Sequence, residues 1–155
     1  MHSSIVLWAA ALVSIGAADL FAHRDELTAR RFRELSPATV AGELDRSRNR
    51  RWHRLGAQQR LVMAGVLASS VSLALGSQRA FWVLLLLCGA LITLCFDISF
   101  NLRFGQRWWY AGTTALTDEL LNKLGLKHQL NAGKLAAAVK LAAVLAGVAG
   151  WIFWL

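Results

Sequence analysis

The run 81-FWVLLLLCGALITLCFDISF-100 carries a single charged residue, Asp97. A bilayer's hydrocarbon core is about 30 Å thick and takes about 20 predominantly apolar residues per helix. The Leu and Phe content of this run suits contact with acyl chains, so it reads as a transmembrane helix over Ala80–Phe100. Which way that helix points, and why Asp97 stands near its end, are decided by the residues around it.

Three further apolar blocks have comparable length: Ile5–Ala22, Leu61–Gln78 and Leu135–Leu155. The first is short and carries Asp19; the second is rich in Ala, Ser and Gly. Hydrophobic residues make up 56% of the chain and charged residues 17%, against about 25% charged in ordinary soluble domains. The 155 residues fit one domain. The expectation is an all-α polytopic membrane protein, a single membrane domain over 1–155, with four transmembrane helices and loops at 23–60 and 101–134.

Lys and Arg collect in cytoplasmic loops, and that bias sets orientation. Residues 23–60 hold ten arginines and no lysine, and residues 101–134 hold Arg103, Arg107, Lys123, Lys127 and Lys134. The Ser77–Arg79 turn has one basic residue, and neither terminus has a basic side chain. Four spans put both basic loops on one side, which places them in the cytoplasm and both termini outside the cell (inner) membrane. Trp82, Trp151 and Trp154 then mark the outer interface; Trp52, Trp108, Trp109 and Tyr110 mark the inner one. Lys140, near the start of the fourth span, is expected to extend its stem back to the interface. A cleaved signal peptide over residues 1–22 would need a basic leading region, and MHSS has no Lys or Arg.

The first loop reads as an Arg-rich helical hairpin broken at Ser36-Pro37, with Pro37 in the first turn of the second helix and Ser36 as its N-cap. Its densest part, 46-RSRNRRWHR-54, holds Arg46, Arg48, Arg50, Arg51 and Arg54. Such a cluster contacts anionic lipid headgroups at about 1 kcal/mol per basic residue, or an acidic partner. Nucleic acid is not expected, because no recognition motif accompanies the charge. In the second loop, residues 113–125 (TTALTDELLNKLG) align Leu116, Leu120, Leu121 and Leu124 on one face of an interfacial amphipathic helix. Small residues recur at spacing four in the second and fourth spans, including Ala68/Ser72/Gly76, Ala143/Gly147 and Ala146/Gly150. Such rows let helices approach closely, within one bundle or in a homo-oligomer.

Charged groups inside a bilayer are expensive and find partners. Asp19 and Asp97 each stand three residues before the end of a span that runs outside to inside. Both therefore reach a depth about one helical turn from the cytoplasmic interface. His23 and Asn101 lie four residues further on, on the same helix faces. Together they form a polar layer, with Arg103, Arg107, Thr113 and Thr114 within its reach. Three uses compete for this layer: a structural lock, a proton or cation passage, and a lipid-headgroup enzyme site.

Motifs for particular chemistry are missing: no phosphate loop, no H-E-x-x-H, no G-x-S-x-G. The four histidines are dispersed, and Cys88 and Cys95 read as buried thiols. No cofactor and no metal are expected, and no catalytic residue can be assigned. The segment F-D-x3-N…W-x-Y-x-G-T-T-x3-D, formed by Phe96, Asp97, Asn101, Trp108, Tyr110, Gly112, Thr113, Thr114 and Asp118, resembles a pattern in small uncharacterised bacterial or phage membrane proteins. That resemblance implies no activity. The leading expectation is a non-enzymatic membrane scaffold or complex subunit. A small oligomeric channel with Asp19 and Asp97 near its inner mouth is the alternative, and a lipid-headgroup enzyme is third.

Overall fold

The computed structural model describes residues 2–35, 44–110, 123 and 131–154. They form four helices: α1 His2–Leu35, α2 Leu44–Leu75, α3 Gln78–Arg103 and α4 Ala132–Trp154. The all-α expectation holds. Three helices are long and apolar enough to cross a membrane, over Ile5–Arg31, Gln78–Arg103 and Ala132–Phe153. The apolar part of α2, Leu61–Leu75, is about 22 Å long at about 1.5 Å per residue, shorter than the hydrocarbon core. It ends early because Gly76 adopts φ +62°. Gly76 N–H bonds to Leu73 O and Ser77 N–H to Ser72 O, a glycine-terminated helix end. The Ser77 hydroxyl then accepts from Ala80 N–H and starts α3.

The described parts of the arginine-rich stretch are helical and continue the apolar helices on either side. Helix α1 continues unbroken past Ala22 to Leu35, and α2 runs unbroken from Leu44 through the Arg51–Arg60 stretch into its apolar part. At about 1.5 Å per residue both are about 50 Å long, well beyond a hydrocarbon core. The break at Ser36-Pro37 lies outside the described residues, as does the amphipathic helix 113–125 apart from Lys123, which is helical.

Helix α3 is the hub, packing against α1, α2 and α4, while α1 and α2 touch only lightly. Contacts fix the directions. Leu7 packs near Val83 and Asp19 meets Ser99, so α1 runs parallel to α3. Arg60 meets Phe96 and Ala64 faces Gly89, so α2 is antiparallel to it. Lys140 meets Asp97 and Gly150 faces Val83, so α4 is antiparallel as well.

Small residues make these approaches close. On α1, Ala10, Ser14, Ala18 and Ala22 recur at spacing four and are all buried. Ala10, Ala18 and Ala22 share a cluster with Ala64 of α2 and with Cys88, Ile92 and Phe96 of α3. A second cluster joins Ala68, Val83, Leu84 and Trp151. Large apolar side chains point outward instead, with Leu73 and Phe153 each 80% exposed and Trp8, Leu12 and Trp82 also facing out. An apolar exterior over a core of small residues inverts the usual soluble arrangement, and it matches lipid contact.

Gly147 marks the tightest approach of α4. A Cβ there would lie 2.8 Å from Leu87 Cβ and 2.9 Å from Leu87 Cα, atoms that cannot swing aside. Gly65 of α2 has nothing within 4 Å of the same position. Gly147→Ala should therefore lower stability in detergent by about 1–3 kcal/mol, the usual cost of overpacking. Gly65→Ala should be neutral or slightly stabilising, since Ala is the better helix former. Thermal unfolding of the two variants followed by circular dichroism checks the contrast.

Candidate functional site

Two polar assemblies flank the C-terminal half of α3, one toward α1 and one between α2 and α4. The first is built on Arg103 in the last turn of α3. Its Nη2 donates to Asp19 Oδ1 at 2.9 Å, and its Nη1 donates to Glu26 Oε2 at 3.3 Å. Asp19 and Glu26 are two turns apart on α1, so one guanidinium spans both. Ser99 adds a 2.9 Å bond to Asp19, and Arg30 binds the other oxygen of Glu26 at 2.7 Å. His23 Nδ1 lies 3.3 Å from Arg103 Nη1 and 3.6 Å from Glu26. Asp19 is about half exposed, so the individual pairs are modest, but a bridging Arg fixes the register of α1 on α3.

The second assembly is more enclosed. Asp97, on another face of α3, makes an ion pair with Lys140 of α4. The lysine expected to reach back to the interface is turned toward this carboxylate. Asn101, 7% exposed, does not serve Asp97. Its side-chain amide donates to Trp108 O at 3.2 Å and Tyr110 O at 3.0 Å, fastening the exit segment against α3. That segment turns back because Gly105 takes φ +67°, with Gly105 N–H bonded to Leu102 O and Gln106 N–H to Asn101 O.

Between α2, α3, α4 and the 108–110 segment is a cavity of about 170 Å³. Its α2 wall follows from a row at spacing four: Trp52, Gly56, Arg60, Ala64 and Ala68. Gly56, Ala64 and Ala68 are buried, so Arg60 lies on the packed face. The Arg60 guanidinium stacks 3.9 Å from the Phe96 ring centroid. Phe96, Phe100 and Phe104 form a ladder along α3, and Trp52 meets Phe100 at 6.3 Å. At the rim, Arg107 and Lys134 both lie against Trp109, at 5.7 and 5.8 Å from its ring. His53 also lines the cavity, and burial, then the Arg60 charge, holds its imidazole below its ordinary value.

The structure thus places Asp19, His23 and Arg103 in one cluster and Asp97, Asn101 and Arg107 around the other. Thr113 and Thr114 lie outside the described residues. Arg46, Arg48 and Arg50 stand on the first turns of α2, and Arg51 and Arg54 are exposed on the turns that follow. Glu26, Ser99, Lys140 and Arg60 are partners that single-residue reasoning passed over. Arg60 alone had a readable signal, its place in a row of small residues. Among the described residues no three His, Cys, Asp or Glu side chains converge as a metal site. No family model, curated protein or solved structure matches the chain.

Two predictions follow from this geometry. Lys140→Met strands a partly buried carboxylate, and Asp97→Asn strands the ammonium. Each should destabilise, and the double variant should recover part of the loss, giving a coupling of about 1–3 kcal/mol in a thermal-unfolding double-mutant cycle. For His53 the folded state favours the neutral ring, whereas the unfolded chain takes up its proton near the ordinary value of 6.5. The associated stability is full above that value and is lost as pH falls below it. Melting temperature measured from pH 7.5 to pH 5 should drop less in His53→Gln than in the native chain.

Proposed function

We propose that this protein is a non-enzymatic integral membrane component, a scaffold or complex subunit. In this reading four helices cross the cell (inner) membrane, both termini face outside, and the basic segments 23–60 and 101–134 face the cytoplasm. The carrying observation is that the carboxylates within the two apolar runs 5–22 and 80–100 are each engaged by a cation from a neighbouring helix: Asp97 by Lys140 and Asp19 by Arg103. Acids held this way tie helices together, and they address different neighbours of α3 rather than one common passage.

Crossing by α2 is supported by its pairing with α3. Leu75 adjoins the start of α3 through the Gly76-Ser77 turn, while Arg60 lies against Phe96 near the other end. A helix held alongside α3 over that interval traverses most of the thickness that α3 does. Helix α2 is also shielded on one side by α3, which relaxes the need for a fully apolar length.

Topology is the direct test, in a Cys88→Ala, Cys95→Ala background. Ser3→Cys should react with a membrane-impermeant maleimide on intact cells, and Ser47→Cys only after permeabilisation; the opposite pattern overturns the orientation. Purified protein in liposomes should pass no ions. A conductance whose selectivity changes in Asp97→Asn would replace the scaffold reading with a channel.

A further inference from the structure

Arg60 presents a chemical problem that the ion pairs around it do not solve. It stands on the packed face of α2, over an aromatic ring and beside the cavity. Among the described residues no carboxylate lies within ion-pair distance of it and none accepts a hydrogen bond from it. Asp97 is taken by Lys140, and Asp25, whose charge also reaches Arg60, gives one oxygen to Arg24 at 2.8 Å while its other oxygen lies beside Gly56, as does Arg60 Nη1. No polar side-chain atom among the described residues is both fully buried and without a partner. The Arg60 nitrogens without a partner are therefore not fully enclosed, and Arg60 lines the cavity. A guanidinium withdrawn from bulk water without an anion is costly, and it presents a planar fork of donors matched to carboxylate or phosphate oxygens.

We propose that the cavity between α2 and α4, floored by α3, binds the phosphate group of an anionic phospholipid, with Arg60 as its principal ligand. This inference rests on the membrane reading above. Four features of the site converge on that ligand. The first is charge: among the described residues Arg60 and Lys140 line the cavity with Asp97 as the one carboxylate, and Arg107 and Lys134 add positive charge at the rim. The Asp97 charge is neutralised by Lys140, whose ammonium has three donors and retains others for a second acceptor. A zwitterionic headgroup would bring an ammonium toward a carboxylate that is already occupied.

The second feature is depth. The cavity lies at the level of Phe96–Asn101, where α3 reaches the interface, beside the Trp108–Tyr110 segment. Trp and Tyr favour the headgroup region, and basic pockets between helices on the cytoplasmic side suit phosphate headgroups. Size is the third. About 170 Å³ holds several waters, room for a phosphodiester. The fourth is access. Helices α2 and α4 each pack on α3 and not on each other, which among the described residues leaves a groove between them. Acyl chains attached to a phosphate at Arg60 would leave along that groove.

The test uses the full chain purified in a neutral detergent, with its melting temperature followed as three probes are titrated. Dioleoylphosphatidylglycerol should raise the melting temperature saturably, while dioleoylphosphatidylcholine and inorganic phosphate should not. Arg60→Gln should abolish the phosphatidylglycerol shift, and Arg79→Gln, at the opposite end of α3, should keep it. Arg60→Lys keeps the charge and loses the fork. It should raise the half-saturating lipid concentration about tenfold, the loss of roughly one charge-assisted hydrogen bond. Native mass spectrometry of the unmutated chain, which needs no variant to fold, should show retained phosphatidylglycerol in preference to phosphatidylcholine. Equal shifts with both lipids, or an unchanged shift in Arg60→Gln, would overturn the proposal. An Arg60-dependent shift with inorganic phosphate would reassign the site to a soluble phosphate. Recovery of the chain in soluble form without detergent would instead refute the membrane reading itself, before any lipid is added.

Discussion

A carboxylate on a helix that faces hydrocarbon must find its counter-charge within the reach of its own side chain. Asp97 imposes that condition on α3, and Lys140 of α4 meets it. The packing of α4 depends on this pairing. With Lys140 held at Asp97, the antiparallel course of α4 brings Gly147 to Leu87 and Gly150 to Val83. Any slip along α3 would separate the ion pair and drive side chains into the Leu87 backbone together. Electrostatics and sterics select the same register, which is the consistency expected of a well-specified bundle.

The same logic recurs on the α1 side with a different residue type. Arg103 bridges Asp19 and Glu26, and the bridging geometry sets the register of α1 while the row Ala10, Ser14, Ala18, Ala22 supplies the close contact. In lipid the helices gain little from hydrophobic burial, because acyl chains are as apolar as leucine. Close packing of small residues and matched polar pairs are the terms that remain. Helix α3 meets small residues on each neighbour and matched polar pairs on α1 and α4, which explains why the other helices assemble on it rather than on each other.

Arg60 stands apart because, among the described residues, it stacks on an aromatic ring while the nearby acids Asp97 and Asp25 make ion pairs with other cations. The cavity is a consequence of how the three pieces around it are fixed. Helix α2 is set by the Gly56, Ala64 and Ala68 row, α4 by the Asp97 pair, and the 108–110 segment by the two bonds from Asn101. Each constraint acts on its own element, and together they hold a basic, aromatic-lined recess beside the C-terminal end of α3.

Much of the architecture was legible from the residues alone. Continuous apolar runs determined that α1, α3 and α4 are helices of membrane-crossing length, and the glycines of the fourth block marked where a neighbour comes close. The presence of a polar layer near Asp19 and Asp97 was readable because charge in an apolar run is rare. Arg103 could be named among its partners; most of the others could not. Periodicity assigns a residue to a face of its own helix but says nothing of which helix that face meets. Ser99 from α3, Glu26 from α1 and Lys140 from α4 were therefore indistinguishable from other interfacial polar residues until the helices were docked. The apolar length of α2 was overestimated, because a hydropathy pattern does not register the left-handed turn at Gly76. Composition and spacing determined the environment and the elements; the pairing of Asp97 with Lys140, and the cavity that leaves Arg60 facing it, were decided by helix register, a property no single helix contains.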